Sequence, residues 1–352
     1  MNAAPMIVST ATAVPAHSAS QEEVKARMRS LLPLDVRRLD AVMALFDRSV
    51  VERRYSAEPL DTLGKRRSLG EISDEYRRHA IALGREVASD ALARAESRPR
   101  DIDLLITVSC TGIMIPSLDA HLVNELGFRS DVRRLPITEL GCVGGAAALA
   151  RARDFLLGFP EARVLVVAVE LPSLSLQRDD MSAANLVSSA LFGDGAAAVV
   201  LAGCGRGRLK ILDTLAHIFP SSTYALGFDL HGDGFHSVLS KDVPDLLRAE
   251  IRRLVAALAG KRGLGADQLS SFVLHPGGKK ILAFIEEELG LPRDQTQPSW
   301  DVLRAYGNQS SASVLFVLHE WLVKRRPLPG SHGVLAAFGP GLSTEMLLIE
   351  WN

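Results

Sequence analysis

The sequence predicts an α/β fold in which one βα plan is used twice. Three observations lead there. Runs such as Arg163 to Val169 are almost wholly apolar, as strands covered on both faces are. The order of element types restarts after about residue 203. Each half also holds a helix that opens on small residues, and 33 positions separate Ser109 from Cys142 just as 33 separate His275 from Asn308. Two halves, 1–203 and 204–352, follow from this self-similarity.

Met6 to Thr12 reads as a strand. Ser20 is an N-cap ahead of Glu22 and Glu23, and the helix it opens runs to about Leu31. A second helical stretch covers residues 35–55. Ser56 to Glu71 reads as a charged surface loop, its Lys65-Arg66-Arg67 run a solvated face. His79 to Ser97 has the helical period. Asp101 to Gly112 is a buried strand ending in a turn, and Leu118 to Leu126 is a helix stopped by Gly127. Val132 to Thr138 is a strand that leads into Glu139-Leu140-Gly141-Cys142-Val143-Gly144-Gly145-Ala146. Almost no bulk follows for two turns, so that helix can lie in the middle of the protein.

The second half echoes the first. Leu209 to Thr214 is an opening strand and Val243 to Leu258 a long helix. Ala266 to Gly278 is a strand and turn, and Ile281 to Leu289 is a helix stopped by Gly290. Tyr306-Gly307-Asn308-Gln309-Ser310-Ser311-Ala312-Ser313 parallels the stretch around Cys142. If the halves pack about a pseudo-twofold axis, Cys142 and Asn308 stand on equivalent helices. Gly333 to Leu342 and Met346 to Trp351 close the sheet.

The bulk numbers exclude several classes. A chain of 352 residues with 47% hydrophobic content can bury a large core. A net charge of -1 gives no basic excess for nucleic acid or an anionic membrane. Cys110, Cys142 and Cys204 fit neither a disulfide framework nor a metal knuckle, and a reducing cytoplasm is the expected home. The opening Met1 to Val8 has no leader-like charge and apolar run.

Cys142 stands at a helix start, where unpaired N–H groups favour an anion and a thiol acts as its thiolate. An imidazole from His275 would hold that thiolate as an ion pair, and Asn308 offers a neutral N–H donor to an oxyanion. Papain-like proteases use the same residue types, but with the Cys in another local sequence.

On these residues the chain resembles a type III polyketide synthase, of the chalcone synthase-like group in the thiolase superfamily. The resemblance covers nearly the whole chain. It is carried by Ser109-Cys110-Thr111-Gly112, Glu139-Leu140-Gly141-Cys142, Leu191-Phe192-Gly193-Asp194-Gly195, Leu274-His275-Pro276-Gly277-Gly278, Tyr306-Gly307-Asn308-Gln309-Ser310-Ser311-Ala312 and Phe338-Gly339-Pro340-Gly341-Leu342. It implies a layered αβαβα thiolase-like fold. Cys142 would carry the acyl chain, while His275 and Asn308 would stabilise the enolate formed when malonyl-CoA loses carbon dioxide. Phe192 would be a gatekeeper, with Cys110, Thr111, Ser310, Pro340 and Gly341 around the substrate. Arg48 matches a residue that contacts CoA phosphates. Two further basic positions of that patch fall on Ala41 and Ala44, and Arg53 or Arg54 would have to compensate.

The resemblance also implies acyl-CoA and malonyl-CoA as substrates, no metal or cofactor, and a homodimer in which Met114 or Ile115 reaches the partner's cavity. Ser237 falls where plant relatives carry a Phe. The smaller side chain predicts a longer cavity, an aliphatic starter and an alkylpyrone or alkylresorcinol. The alternatives are an aromatic product from malonyl-CoA alone, with a neighbour such as Phe235 filling the space, a ketoacyl-ACP synthase of the third class, and an inactive thiolase-fold partner subunit. His275-Pro276-Gly277-Gly278 favours the polyketide synthases over the ketoacyl-ACP synthases, whose motif is typically His-Gln-Ala-Asn.

Overall fold

The structure, a computed structural model, describes residues 4–352. Met1–Ala3, read above for leader-like features, lie outside them. The first half begins with β1 (Met6–Ala13), β2 (His17–Ser20), α1 (Gln21–Leu31), α2 (Val36–Arg48), β3 (Arg53–Ser56) and α3 (Leu69–Arg94). It continues with β4 (Leu104–Val108), α4 (Leu118–Leu126), β5 (Arg133–Ile137), α5 (Gly144–Gly158), β6 (Arg163–Glu170), α6 (Ala183–Leu191) and β7 (Gly195–Ala202). The second half has β8 (Leu209–Ile218), β9 (Leu226–His231), β10 (Gly234–Leu239), α7 (Val243–Gly260), β11 (Leu269–Leu274) and α8 (Lys279–Leu289). It ends with α9 (Gln297–Tyr306), α10 (Ser313–Glu320), β12 (His332–Gly339) and β13 (Ser343–Trp351).

Nine strands form one sheet in the order β11-β12-β13-β8-β1-β7-β6-β4-β5. The order is a palindrome about the β8–β1 junction, except that β5 has no counterpart. β4 runs parallel to β6 as β11 does to β12, and β7 and β13 are each antiparallel to both neighbours. At the junction β1 and β8 share only the pairs Met6↔Lys210 and Ile7↔Leu209.

Period-two alternation sorts the strand side chains into layers. Val164, Val166 and Ala168 face a middle layer shared with α5, α10 and inward residues of the second half such as Val273, Leu335 and Leu347. Leu165, Val167 and Val169 face the outer layer of α3 and α4. In the second half Phe272, Val334 and Leu348 face α7 and α8. The layers therefore run helix, sheet, helix, sheet, helix, as expected from the duplicated plan. α5 and α10 fill the centre, and the glycines that open α5 let the two approach closely. A Cβ on Gly145 would stand 2.2 Å from the Ser311 carbonyl oxygen.

Several local expectations needed correction. The stretch 35–55 is helical only to Arg48. Val50 takes a left-handed φ of 63°, and β3 then pairs with β2. The helix expected at His79 begins ten residues earlier, where Ser68 and Glu71 form a capping box. Ile72 and Tyr76 extend its buried stripe back from Ala80 and Leu83, and its first turn, Leu69–Glu71, takes up the end of what was read as a loop. The β9–β10 hairpin, α6 and α9 were not anticipated.

Candidate active site

Cys142 lies in a single 3-10 turn, Gly141–Val143, between the end of β5 and the start of α5. Gly141 makes that turn possible. Its φ is +54°, and a Cβ there would lie 2.5 Å from the Pro340 ring. The Cys142 Sγ sits 3.5 Å from Ser310 Oγ. Ser310 opens the matching 3-10 turn before α10 and has a φ of 48°.

Asn308 is held from every side. Its backbone N–H donates to Leu191 O at 2.8 Å, and it bridges Phe192. Its Oδ1 accepts from the Ser310 N–H at 2.8 Å and from Ser313 Oγ at 3.3 Å. Those acceptances fix the amide so that Nδ2 is its donor face, and Nδ2 lies 3.5 Å from Gly277 O. Gly277 in turn sits against the His275 ring, where its missing Cβ would be 3.4 Å from Cδ2. His275 stands one residue past β11, and its N–H donates to Ala336 O at 2.9 Å. Contacts thus run unbroken from Cys142 through Ser310, Asn308 and Gly277 to His275.

The electrostatics differ from the expected ion pair. Burial holds the Cys142 thiol up at about 12, with Ser310 lowering it and Glu170 raising it. Burial pushes His275 down to about 3; the ring is only 2% exposed and its Nδ1 has no partner. Charging either group alone in this dry setting carries a desolvation penalty that the helix starts do not offset. Burial thus disfavours charging either group alone, and a neutral imidazole is a proton acceptor.

Sequence reasoning missed Glu170. It is fully buried, and burial raises its pKa. Its carboxylate accepts from Thr111 Oγ1 at 2.8 Å, from the Cys110 N–H at 3.1 Å and from Ser311 Oγ. Cys110 Sγ lies 3.6 Å from it and 3.2 Å from Ser310 Oγ. The available signal was a carboxylate closing an otherwise apolar strand, since such groups are buried only when partnered.

Cys110, Thr111, Phe192, Ser237 and Ser310 line one cavity, together with Phe228, Phe235, Leu174, Leu176 and Leu60. Phe228 is directly opposite Ser237 in the β9–β10 register, and its ring meets Phe235 edge-on at 6.2 Å. Pro340 packs on Gly141, while the Gly341 N–H donates to Leu226 O at 2.8 Å and so ties the hairpin to the site. Arg48 is exposed at the end of α2 and does not line the cavity. Arg54 cannot replace the missing phosphate contacts from outside. It is 8% exposed, and its Nη1 donates to Ser189 O at 2.5 Å and Phe192 O at 3.0 Å. Arg53 is exposed and donates to Ser18 Oγ at 3.2 Å. Glu58, Glu75 and His79 form the one group with metal-ligand spacing among the described residues, but Arg78 already supplies the cation between the two carboxylates.

The sequence profiles of the chalcone and stilbene synthases match both halves, the N-terminal domain at residues 2–205 and the C-terminal domain at 210–351. The chain belongs to that family. It is 39% identical over 345 residues to a 1,3,6,8-tetrahydroxynaphthalene synthase of Streptomyces peucetius, covering 97% of this chain and 91% of the relative. A phloroglucinol synthase of Pseudomonas fluorescens is 33% identical over 341 residues, covering 96% and 97%. The crystal structure of the tetrahydroxynaphthalene synthase of Streptomyces coelicolor superposes with a TM-score of 0.94 at 34% identity and 99% coverage of both chains. The protein is a type III polyketide synthase, a malonyl-CoA-dependent transferase. The ketoacyl-ACP synthase and inactive-partner readings are set aside.

Proposed function

We propose that malonyl-CoA both primes and extends the chain on Cys142, and that the poly-β-keto product closes to a polyhydroxylated aromatic. The observation that carries the mechanism is the unbroken set of contacts from Cys142 to His275. In the loading step neutral His275 takes the thiol proton as Cys142 Sγ attacks the CoA thioester. The acyl–S bond to CoA breaks, and CoA leaves with that proton. In the extension step the thioester oxygen of a second malonyl-CoA rests against Asn308 Nδ2 and the His275 ring. The bond to the carboxylate breaks, carbon dioxide leaves, and the electron pair becomes an enolate facing those donors. The enolate carbon attacks the Cys142 thioester, and the Cys142 thiolate departs. Carbon–carbon bond formation is driven by loss of carbon dioxide with no net redox change, so the chemistry calls on no metal or redox cofactor. A water-poor cavity protects the thioester throughout.

The product class is supported by the aromatic pair Phe228 and Phe235, which flanks Ser237 on the cavity wall, and by likeness to two synthases of polyhydroxylated aromatics. Malonyl-CoA alone should give a polyhydroxylated aromatic by mass spectrometry. Product formed only after an alkanoyl-CoA is added would favour the second reading, an alkylpyrone or alkylresorcinol synthase. That reading draws on the apolar lining at Val24, Met28, Leu60 and Leu63.

The working unit we propose is a homodimer in the cytoplasm. Ile115 is 93% exposed, Leu135 and Leu140 are exposed nearby, and β5 is an edge strand with an open side. Ile115 is the residue offered to the partner's cavity. Arg48 remains the proposed contact to CoA phosphate. No helix among the described residues is long and apolar enough to cross a membrane.

A further inference from the structure

Three charged side chains line the cavity, and one of them, Arg67, makes no side-chain hydrogen bond or ion pair among the described residues. Arg54 is anchored through Nη1 to the Ser189 and Phe192 carbonyls, with its Nε and Nη2 buried and unpartnered among the described residues. Glu58 accepts from Arg78 at 2.9 Å and meets His79 at 2.8 Å. Arg67 makes no side-chain hydrogen bond or ion pair among the described residues, although it is half-buried. Its neighbour Arg66 is paired with Asp179 at 2.9 Å. Glu71 feels the charges of Lys65 and Arg67 but directs its carboxylate to Ser68, at 2.8 and 2.9 Å.

Arg67 also lies on a boundary. With Leu174 and Leu176 it lines both the cavity and a second, outer cleft. That cleft adds Lys65 and Arg178 to the basic side, while its Asp180 and Asp233 both face His236. One wall of the cavity is thus a partition of two leucines and one unpaired guanidinium, backed by further cations. The same cavity is lined by Cys110, Thr111 and Ser310, the last in contact with Cys142.

We infer that Arg67 is a specificity-determining residue that receives a terminal carboxylate on the starter chain. The substrate class is an ω-carboxyacyl-CoA, of which malonyl-CoA is the shortest. A largely apolar channel with an unanchored guanidinium in its wall suits a chain that is thioester at one end and anionic at the other. A guanidinium pairs with a carboxylate through two parallel N–H donors, and leaving it facing a methyl group loses that pairing. This inference rests on the proposed loading of Cys142.

The test is acylation of Cys142 read by intact-protein mass spectrometry, which needs no chain extension. Matched pairs are compared at equal carbon number: succinyl- with butyryl-CoA, glutaryl- with pentanoyl-CoA, and adipyl- with hexanoyl-CoA. The full-length wild type should favour the carboxylate-ended member by roughly 10- to 100-fold at one length or more, the scale of one charge-assisted hydrogen bond. Arg67→Met should remove that preference, and Arg67→Lys should keep part of it. An unchanged ratio in Arg67→Met, or a wild type that loads methyl-ended chains as well or better at every length, overturns the inference and leaves the loading of Cys142 standing. No acylation by any of these six, with malonyl-CoA still loading Cys142, would overturn this inference alone; failure of malonyl-CoA to load as well would remove the proposed function with it.

Discussion

The two halves of the sheet share one topology but not one chemistry. Each holds a 3-10 turn that runs straight into a central helix, entered from strand β5 in the first half and from helix α9 in the second, and the two turns meet at the centre. In the first half the second residue of the turn is Cys142, the proposed nucleophile. At the equivalent place in the second half stands Ser311, which donates to buried Glu170. The second half instead places Asn308 two residues before its turn and His275 one residue past a strand. Sequence spacing paired Cys142 with Asn308; the turns pair it with Ser311. Duplication therefore built a symmetric cradle, and the reaction uses it asymmetrically. In the proposed reaction one half holds the covalent chain, and the other aims donors at the charge that develops during extension.

If that division is right, the largest effect comes from the nucleophile. Cys142→Ala should abolish acyl loading and product, with the fold intact by circular dichroism because the turn already packs small residues. Full product formation by this variant would end the assignment. Next in size are the donors of the other half. Asn308→Ala and His275→Ala should each slow malonyl-CoA decarboxylation by roughly 10²–10³-fold, measured by release of carbon dioxide. Rates within a few-fold of wild type would leave the second half without its proposed task.

The thiol's protonation state sharpens the contrast further. With Cys142 held up at about 12, its alkylation by iodoacetamide, followed by peptide mass spectrometry, should climb by about tenfold per pH unit between 6 and 9. A plateau across neutral pH would instead indicate a standing thiolate–imidazolium pair. The smallest effect is on stability. His275 titrates near 6.5 when unfolded and near 3 when folded, so between those values the unfolded chain binds the extra proton. Stability is then complete above pH 6.5 and falls as pH drops toward 3. Between pH 7 and 5 the wild type should lose about 1–2 kcal/mol more than His275→Gln in urea titrations. Equal losses would show that the ring is not held neutral by the fold.

How much of this could be read in the residues depends on range. The order of apolar strands, the Gly127 and Gly290 helix stops and the small-residue turns are local signals, and the structure repeats them. Cys142, His275 and Asn308 were legible as a group because each lies in a distinctive run at a repeated spacing. The cavity wall was not. The β9–β10 hairpin pairs only with itself, so its strands lack the continuous apolar pattern of the main sheet, and Phe228 went unnoticed opposite Ser237. Arg54 illustrates the limit in the other direction. Its sequence neighbours suggested a phosphate ligand, whereas tertiary packing buried it beneath Phe192. The state of the thiol also lay beyond sequence, because a helix start favours the thiolate while burial opposes it, and only the structure says how dry the site is.

The central claim is that decarboxylation belongs to the second half and acyl transfer to the first. The most direct measurement is carbon dioxide release from malonyl-CoA labelled in its free carboxylate, using Cys142→Ala. The account predicts that this variant still releases label, within about tenfold of wild type, because His275 and Asn308 are untouched and need no thiol to hold the enolate. Release falling to the level of Asn308→Ala would contradict it and make the two halves one inseparable site.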